Sequence, residues 1–147
     1  MQLPLKALTD LELARFGIGI PKFIGVYMRD ELHGRPKNNE CGILNFNTHR
    51  QQGSHWVCWF KKGKERYYFD SYGEPPPIEL LKYLKTPSEY GKLVIKRNAV
   101  TVQKDESSEC GVLCLFVLMN LSRGKSFPAI LDFLLRRYKS SDKRLIV

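Results

Sequence analysis

The sequence predicts an α+β fold in which a small, mainly antiparallel sheet packs on one central, buried helix. Two observations predict it: an apolar segment of helical length at residues 110–121, and two aromatic, β-branched runs at 55–60 and 65–70. The chain of 147 residues is 43% hydrophobic and 27% charged, which is typical of a globular protein. No linker or repeat divides it, so a single domain, 1–147, is expected.

The central helix is predicted from an almost continuous apolar run without alternation, which is too long for an ordinary strand. Ser107 and Ser108 are suitable N-cap residues, and Gly124 suits the position after the last turn. The helix is therefore expected to begin at Cys110 or within a residue or two of it.

Cys110 is a candidate nucleophile because of this position. The first N–H groups of a helix are unpaired and carry partial positive charge, which stabilises a thiolate. Gly111 leaves space beside the sulfur, so that a substrate backbone can approach closely. The alternative is that Cys110 is a small core residue, since unpaired cysteines are often buried.

The two aromatic runs predict a β-hairpin with its turn at Lys62-Gly63. That turn places His55 directly opposite Asp70, with Cβ atoms roughly 5 Å apart on one face of the sheet. A carboxylate in this position can orient an imidazole and stabilise its charged form. The alternative is a surface His–Asp pair at the mouth of the hairpin.

The other predicted elements are shorter. They are a helix at 9–16, a strand at 23–27, an exposed loop at 29–40, a strand at 41–46, a polar loop at 49–54, a helix at 78–85, a loop at 86–91, strands at 93–95 and 99–102, and an amphipathic helix capped by Ser126. Arg136 and Arg137 fall in the last turn of that final helix, where they suit its dipole.

Composition narrows the class of protein. The formal charge of +9, from 24 basic and 15 acidic residues, attracts nucleic acid without reading its sequence, and no nucleic-acid motif accompanies it. No apolar run is long enough to span a membrane, and the N-terminus does not resemble a secretory signal. The cysteines, at positions 41, 58, 110 and 114, form no zinc or disulfide pattern, so a reduced, intracellular setting is expected.

Gln103 completes a candidate thiol-hydrolase site. A thiol nucleophile needs a base, an orienting group and donors for the oxyanion. The side-chain amide of Gln103 and the backbone N–H of Cys110 are suitable donors. A metal site made of Cys110, Cys114, His49 and His55 is the competing interpretation, but ligands on a buried apolar helix are unusual, so no metal is expected. Cys114 is expected to be an inert core thiol.

The order of these residues resembles a known family. His55-Trp56, then residues 68–73 (YFDSYG), Gln103 and residues 109–114 (ECGVLC) are similar to the adenain family, the adenovirus maturation proteases. Residues 23–27 and 41–45 extend the likeness, which covers about residues 9–121. Ulp-type SUMO proteases share the core order but match the flanking segments less well.

The resemblance implies a papain-like, Ulp-type cysteine protease core. Cys110 would be the nucleophile, and His55 the general base and acid, oriented by Asp70. Gln103 and the Cys110 amide would form the oxyanion hole. Trp56 would narrow the cleft, and Trp59 and Tyr72 are further aromatic residues that could line it.

The resemblance also implies substrates and partners. The family cleaves at small, glycine-containing sites in viral precursors, which implies virion maturation in the host nucleus or the virion, and no cofactor for the chemistry. DNA or a short peptide would be an activator, although no cysteine lies between Asp70 and Gln103 to hold such a peptide by a disulfide. The alternatives are a SUMO- or ubiquitin-like isopeptidase, an acyltransferase on the same core, and a non-catalytic DNA-binding relative.

Overall fold

The computed structural model describes residues 1–47, 55–85, 94–105 and 107–147. Within these ranges the chain forms four helices and five strands. In chain order they are α1 (Asp10–Gly17), β1 (Phe23–Met28), β2 (Asn39–Asn45), β3 (Trp56–Lys62), β4 (Glu65–Phe69), α2 (Ile78–Leu84), β5 (Val94–Arg97), α3 (Cys110–Ser122) and α4 (Phe127–Lys139). The predicted loops at 49–54 and 86–91, and the first residue of the strand predicted at 93–95, lie outside the described residues.

The five strands form one sheet in the order β1-β2-β3-β4-β5. The central strand β3 is antiparallel to both of its neighbours, β2 and β4, whereas the edge strands β1 and β5 pair in parallel with β2 and β4. The α+β fold predicted from the sequence, with a central buried helix against the sheet, is confirmed.

Side chains alternate across β3 between two hydrophobic clusters. Cys58 faces the larger cluster, which contains α3, whereas Val57 and Trp59 face a smaller one with Leu80 of α2. The Trp59 ring covers Gly42 on β2, where an added Cβ would come within 2.5 Å of the ring. Trp59 therefore lies on the side of the sheet away from α3.

The predicted loop at 29–40 is wrong at its end, because Glu40 is a buried residue of β2. Its carboxylate accepts hydrogen bonds from Trp59 Nε1 at 2.9 Å and from the Tyr83 hydroxyl at 2.8 Å. The charge of Glu40 suggested exposure, but its carboxylate is buried and hydrogen-bonded to donors that are distant in sequence.

The β3–β4 hairpin forms, but its predicted register is wrong. The turn is Gly63-Lys64, so Lys62 pairs with Glu65 and Cys58 with Phe69. Gly63 has φ +59, a conformation that favours glycine at the first position of a two-residue turn. The register shifts by two residues, and because side-chain direction repeats every two residues, His55 and Asp70 still share a face.

The strand predicted at 99–102 is absent, since the chain there folds around a turn instead of pairing with a strand. Val102 N donates to Ser71 O at 2.7 Å. Gly73 permits the close approach: its φ is +75, and an added Cβ would lie 2.8 Å from the carbonyl carbon of Ala99. Only Val102 of this segment is buried, and Val100 is exposed, so the β-branched residues do not mark a strand here.

The central helix α3 begins at Cys110, as predicted, and is buried along almost its whole length. The predicted N-cap is wrong, whereas the predicted position of Gly124 just after the last turn is confirmed. The N-cap residue is Glu109 rather than Ser107 or Ser108, and its side chain makes no capping hydrogen bond. Gly124 has φ +88, the left-handed conformation that ends many helices. Every helix among the described residues falls short of the length and apolarity needed to cross a bilayer.

Candidate active site

Three elements bring the predicted catalytic residues together. His55 immediately precedes β3, Asp70 immediately follows β4, and Cys110 is the first residue of α3. The apolar helix packs across β3, where Cys114 Sγ donates to Trp56 O at 3.5 Å. The start of the helix is thereby fixed beside the start of the strand.

His55 and Asp70 form a close pair. His55 Nε2 lies 2.8 Å from Asp70 Oδ1, and the same oxygen accepts the backbone N–H of Tyr72 at 2.9 Å. Burial by itself would lower the pKa of His55, but hydrogen bonds and charge interactions with Asp70 and Cys110 outweigh it and raise this pKa to about 9. The imidazole is therefore positively charged at neutral pH.

The Cys110 sulfur lies among hydrogen-bond donors. The backbone N–H of Trp56 donates to Sγ at 3.5 Å, and the His55 ring forms a further hydrogen bond with Cys110. Because Nε2 of His55 is engaged by Asp70, Nδ1 is the ring nitrogen left for the thiol. A sulfur beside a charged imidazole that is held by a carboxylate is the arrangement of an activated thiol nucleophile.

Gln103 is buried, and both ends of its side-chain amide are held. Its Oε1 accepts the Ser71 hydroxyl, and its Nε2 donates to Ser107 O at 2.9 Å. The Nε2 atom carries two hydrogens, and the bond to Ser107 uses one of them. The other suits an oxyanion, because Gln103 and Cys110 line the same cavity.

This cavity has a volume of about 340 Å³. Its lining includes Ala7, Leu8, His55, Trp56, Tyr72, Gln103 and Cys110. The Tyr72 ring lies over the imidazole, with ring centroids 5.0 Å apart. Trp56 and Tyr72 thus line the cleft, whereas Trp59, the third predicted aromatic residue, does not.

Gly111 is in the protein interior. An added Cβ would lie 3.1 Å from Leu13 Cδ2 and 3.3 Å from Trp56 Cδ1. The space beside the glycine is therefore occupied by these two side chains. Contact between Gly111 and a substrate backbone stays a prediction.

Two supporting residues, Asn98 and Ser71, are not indicated by the sequence. Asn98 brackets the backbone of Asp70: the Asp70 N–H donates to Asn98 Oδ1 at 3.2 Å, and Asn98 Nδ2 donates to Asp70 O. Ser71 holds Gln103. No local pattern marks Asn98 or Ser71, because their partners lie 28 and 32 residues away.

In the described part of the chain, Cys110, Cys114 and His55 do not form the three-ligand group that the competing metal interpretation needs. No group of three or more His, Cys, Asp or Glu side chains there is placed to hold a metal ion. His49 lies outside the described residues. Burial raises the pKa of Cys114 well above its ordinary value, as expected for a packed thiol.

The sequence is similar to that of a protein named as a thiol protease. No family model matches the sequence. Over 113 residues the chain is 34% identical to R355, a protein of Acanthamoeba polyphaga mimivirus that is named as a thiol protease. The match covers 70% of this chain and 36% of R355, so the chain spans little more than a third of that relative.

Solved structures show the fold. The ASFV pS273R protease superposes with a TM-score of 0.59 at 18% identity, over 92% of this chain and 67% of that one. The SUMO protease Ulp1 gives 0.51 at 15% identity, over 92% of this chain and 77% of its own. The chain has the Ulp-type cysteine protease fold. This fold confirms the Ulp-type cysteine protease core expected from the order of motifs in the sequence.

Proposed function

We propose that this Ulp-type chain is a cysteine endopeptidase with Cys110 as nucleophile, His55 as general base and acid, and Asp70 as the group that orients His55. The observation that carries the proposal is that the sulfur and the charged imidazole line one cleft, while the buried Asp70 carboxylate contacts the imidazole from behind. The similarity to R355 and to two proteases of known structure supports it.

The proposed reaction follows from these positions. The Cys110 thiolate attacks the substrate carbonyl carbon, and the carbonyl π electrons move to oxygen. Gln103 Nε2 and the backbone N–H of Cys110 donate to that oxyanion. His55 then gives its proton to the departing amine as the C–N bond breaks, which leaves a thioester on Cys110. His55 next removes a proton from water, which attacks the thioester and releases the acid and the thiolate.

The proposed substrates are viral or virus-like precursor proteins cleaved at small, glycine-containing sites. Small residues at the cleavage site are what the family resemblance implies, and the aromatic rings of Trp56 and Tyr72 beside Cys110 are the walls that a glycine-containing segment would pass between. Relatives from mimivirus and ASFV, both named as proteases, support a viral setting.

A SUMO- or ubiquitin-like isopeptidase is the second candidate. One observation favours it: the Ulp1 protease domain, solved in complex with the yeast SUMO orthologue SMT3, superposes over 92% of this chain with a TM-score of 0.51. The two candidates share the chemistry and differ in the substrate tail.

A peptide-library cleavage assay tests the proposal. Cys110→Ala is expected to abolish hydrolysis, whereas Cys114→Ala, one helical turn away, is expected to retain most of it. Hydrolysis by Cys110→Ala together with loss in Cys114→Ala would refute the assignment. Rapid labelling of Cys110 by a ubiquitin-like probe with a C-terminal electrophile would favour the isopeptidase, and parallel assays with DNA test an activator.

A further inference from the structure

The C-terminal helix reaches the residue that precedes the nucleophile. Arg137 of α4 is only 5% exposed, and its Nη2 lies 3.0 Å from Glu109 Oε2. Arg137 Nε also donates to Lys143 O at 2.8 Å. The sequence predicted that Arg137 serves the dipole of its own helix, but its guanidinium is buried against the start of another.

The backbone of Glu109 sets the orientation of the Cys110 N–H. It is the N-cap residue of α3, and its ψ of 3° orients the peptide group that carries the Cys110 N–H. Its carbonyl accepts Leu113 N at 2.9 Å, the first hydrogen bond of the helix. Rotation at Glu109 would therefore turn the Cys110 N–H, one of the two proposed oxyanion donors.

We propose that Arg137 is a positioning residue: by pairing with Glu109, it holds the Glu109–Cys110 peptide group so that the Cys110 N–H points at the developing oxyanion. This inference rests on the proposed function. A donor stabilises an oxyanion most when it is already aligned before the reaction. The buried Arg137 guanidinium is held by two contacts, with Glu109 and with Lys143 O, and it can therefore fix Glu109 in place.

Arg136 supplies a matched control. It precedes Arg137 on α4 and pairs with Asp132 at 2.8 Å, but its side chain is 74% exposed. Arg136→Met and Arg137→Met remove the same charge from the same helix. Only Arg137→Met disconnects Glu109.

The test compares reactions that need the oxyanion donor with one that does not. For Arg137→Met, kcat is expected to fall about tenfold with KM within about twofold, because alignment is lost rather than binding. Inhibition by a peptide aldehyde, whose adduct oxygen occupies the oxyanion position, should weaken about tenfold. Alkylation of Cys110 by iodoacetamide, followed by mass spectrometry, should stay within about twofold, as should every readout for Arg136→Met.

Two results would overturn the inference: a folded Arg137→Met with unchanged kcat, or alkylation that falls as far as kcat. If Arg137→Met does not fold, Glu109→Ala removes the anchored carboxylate while Arg137 keeps its bond to Lys143, and unchanged kcat in that variant also overturns it. Absence of Cys110-dependent hydrolysis in the unaltered protein would instead refute the proposed function.

Discussion

Asp70 contacts His55 at 2.8 Å across the end of the β3–β4 hairpin, although the two residues are not paired in its register. The contact forms because the two side chains lie on the same face of the sheet, although their backbones are not paired. It also depends on Asp70 being held from behind, since Asn98 binds its backbone and Tyr72 N–H donates to its carboxylate. A buried carboxylate fixed in this way can orient the imidazole.

Asp70→Asn is expected to lower kcat by about a hundredfold and to change KM by less than about threefold, because it removes the charge that orients and stabilises imidazolium. Steady-state kinetics on the best library peptide measures both constants. Asp132→Asn, an exposed carboxylate on α4, is the control. A kcat within about threefold of the unaltered protein would contradict the role of Asp70.

The pH dependence of activity follows from the raised pKa of His55. Because Asp70 and Cys110 stabilise the charged ring, it loses its proton only as pH rises through about 9, and kcat/KM is expected to fall there. Asp70→Asn should move this alkaline fall to lower pH. The pair also contributes stability that is complete below the ordinary pKa of 6.5 and is lost as pH rises through about 9, which thermal unfolding at several pH values would detect. An alkaline limb that does not move in Asp70→Asn would exclude this origin.

Gln103→Ala is expected to reduce kcat by about a hundredfold with little change in KM, because the amide hydrogen that Ser107 does not use donates to the oxyanion of the transition state rather than to the bound substrate. Ser71→Ala, which frees the other end of the amide, should give a smaller loss in kcat, since the donor remains and is then held only by its bond to Ser107. The two variants are compared in one kinetic series. If Gln103→Ala changes only KM, the amide binds the substrate ground state instead.

Asn98→Ala is expected to lower the free energy of unfolding by about 1–3 kcal/mol, because it leaves the buried N–H of Asp70 without its partner and removes one of two hydrogen bonds to the Asp70 carbonyl, which keeps the N–H of Gly73. Urea denaturation measures the change. Asn39→Ala, at an exposed position of β2, is the control. A loss below about 0.5 kcal/mol would show that water or the backbone replaces the side chain.

The sequence alone predicts the elements with strong local patterns. The apolar run indicates α3 and its start at Cys110, and the aromatic runs indicate the hairpin with His55 and Asp70 on one face. The turn was misplaced because Lys62-Gly63 and Gly63-Lys64 differ only in where the positive φ of Gly63 falls. The even shift preserved the face, so the wrong register still gave the right contact.

The parts that sequence reasoning missed depend on contacts between distant segments. The segment 99–102 carries a strand-like pattern, but its partner is the turn after β4, which no local rule could reveal. Glu40 and Arg137 are charged residues that local patterns assign to the surface, yet both are buried with hydrogen-bond partners elsewhere in the chain. Burial of such side chains is decided by tertiary structure.

The side-chain sizes at positions 42 and 59, on the neighbouring strands β2 and β3, depend on each other. They are register partners in β2 and β3, and the indole occupies the volume that any side chain at position 42 would need. Neither position can change size independently without a steric clash or a cavity. During evolution, a larger residue at 42 is therefore expected to arise together with a smaller one at 59, so these two alignment columns should covary even though neither residue touches the reaction.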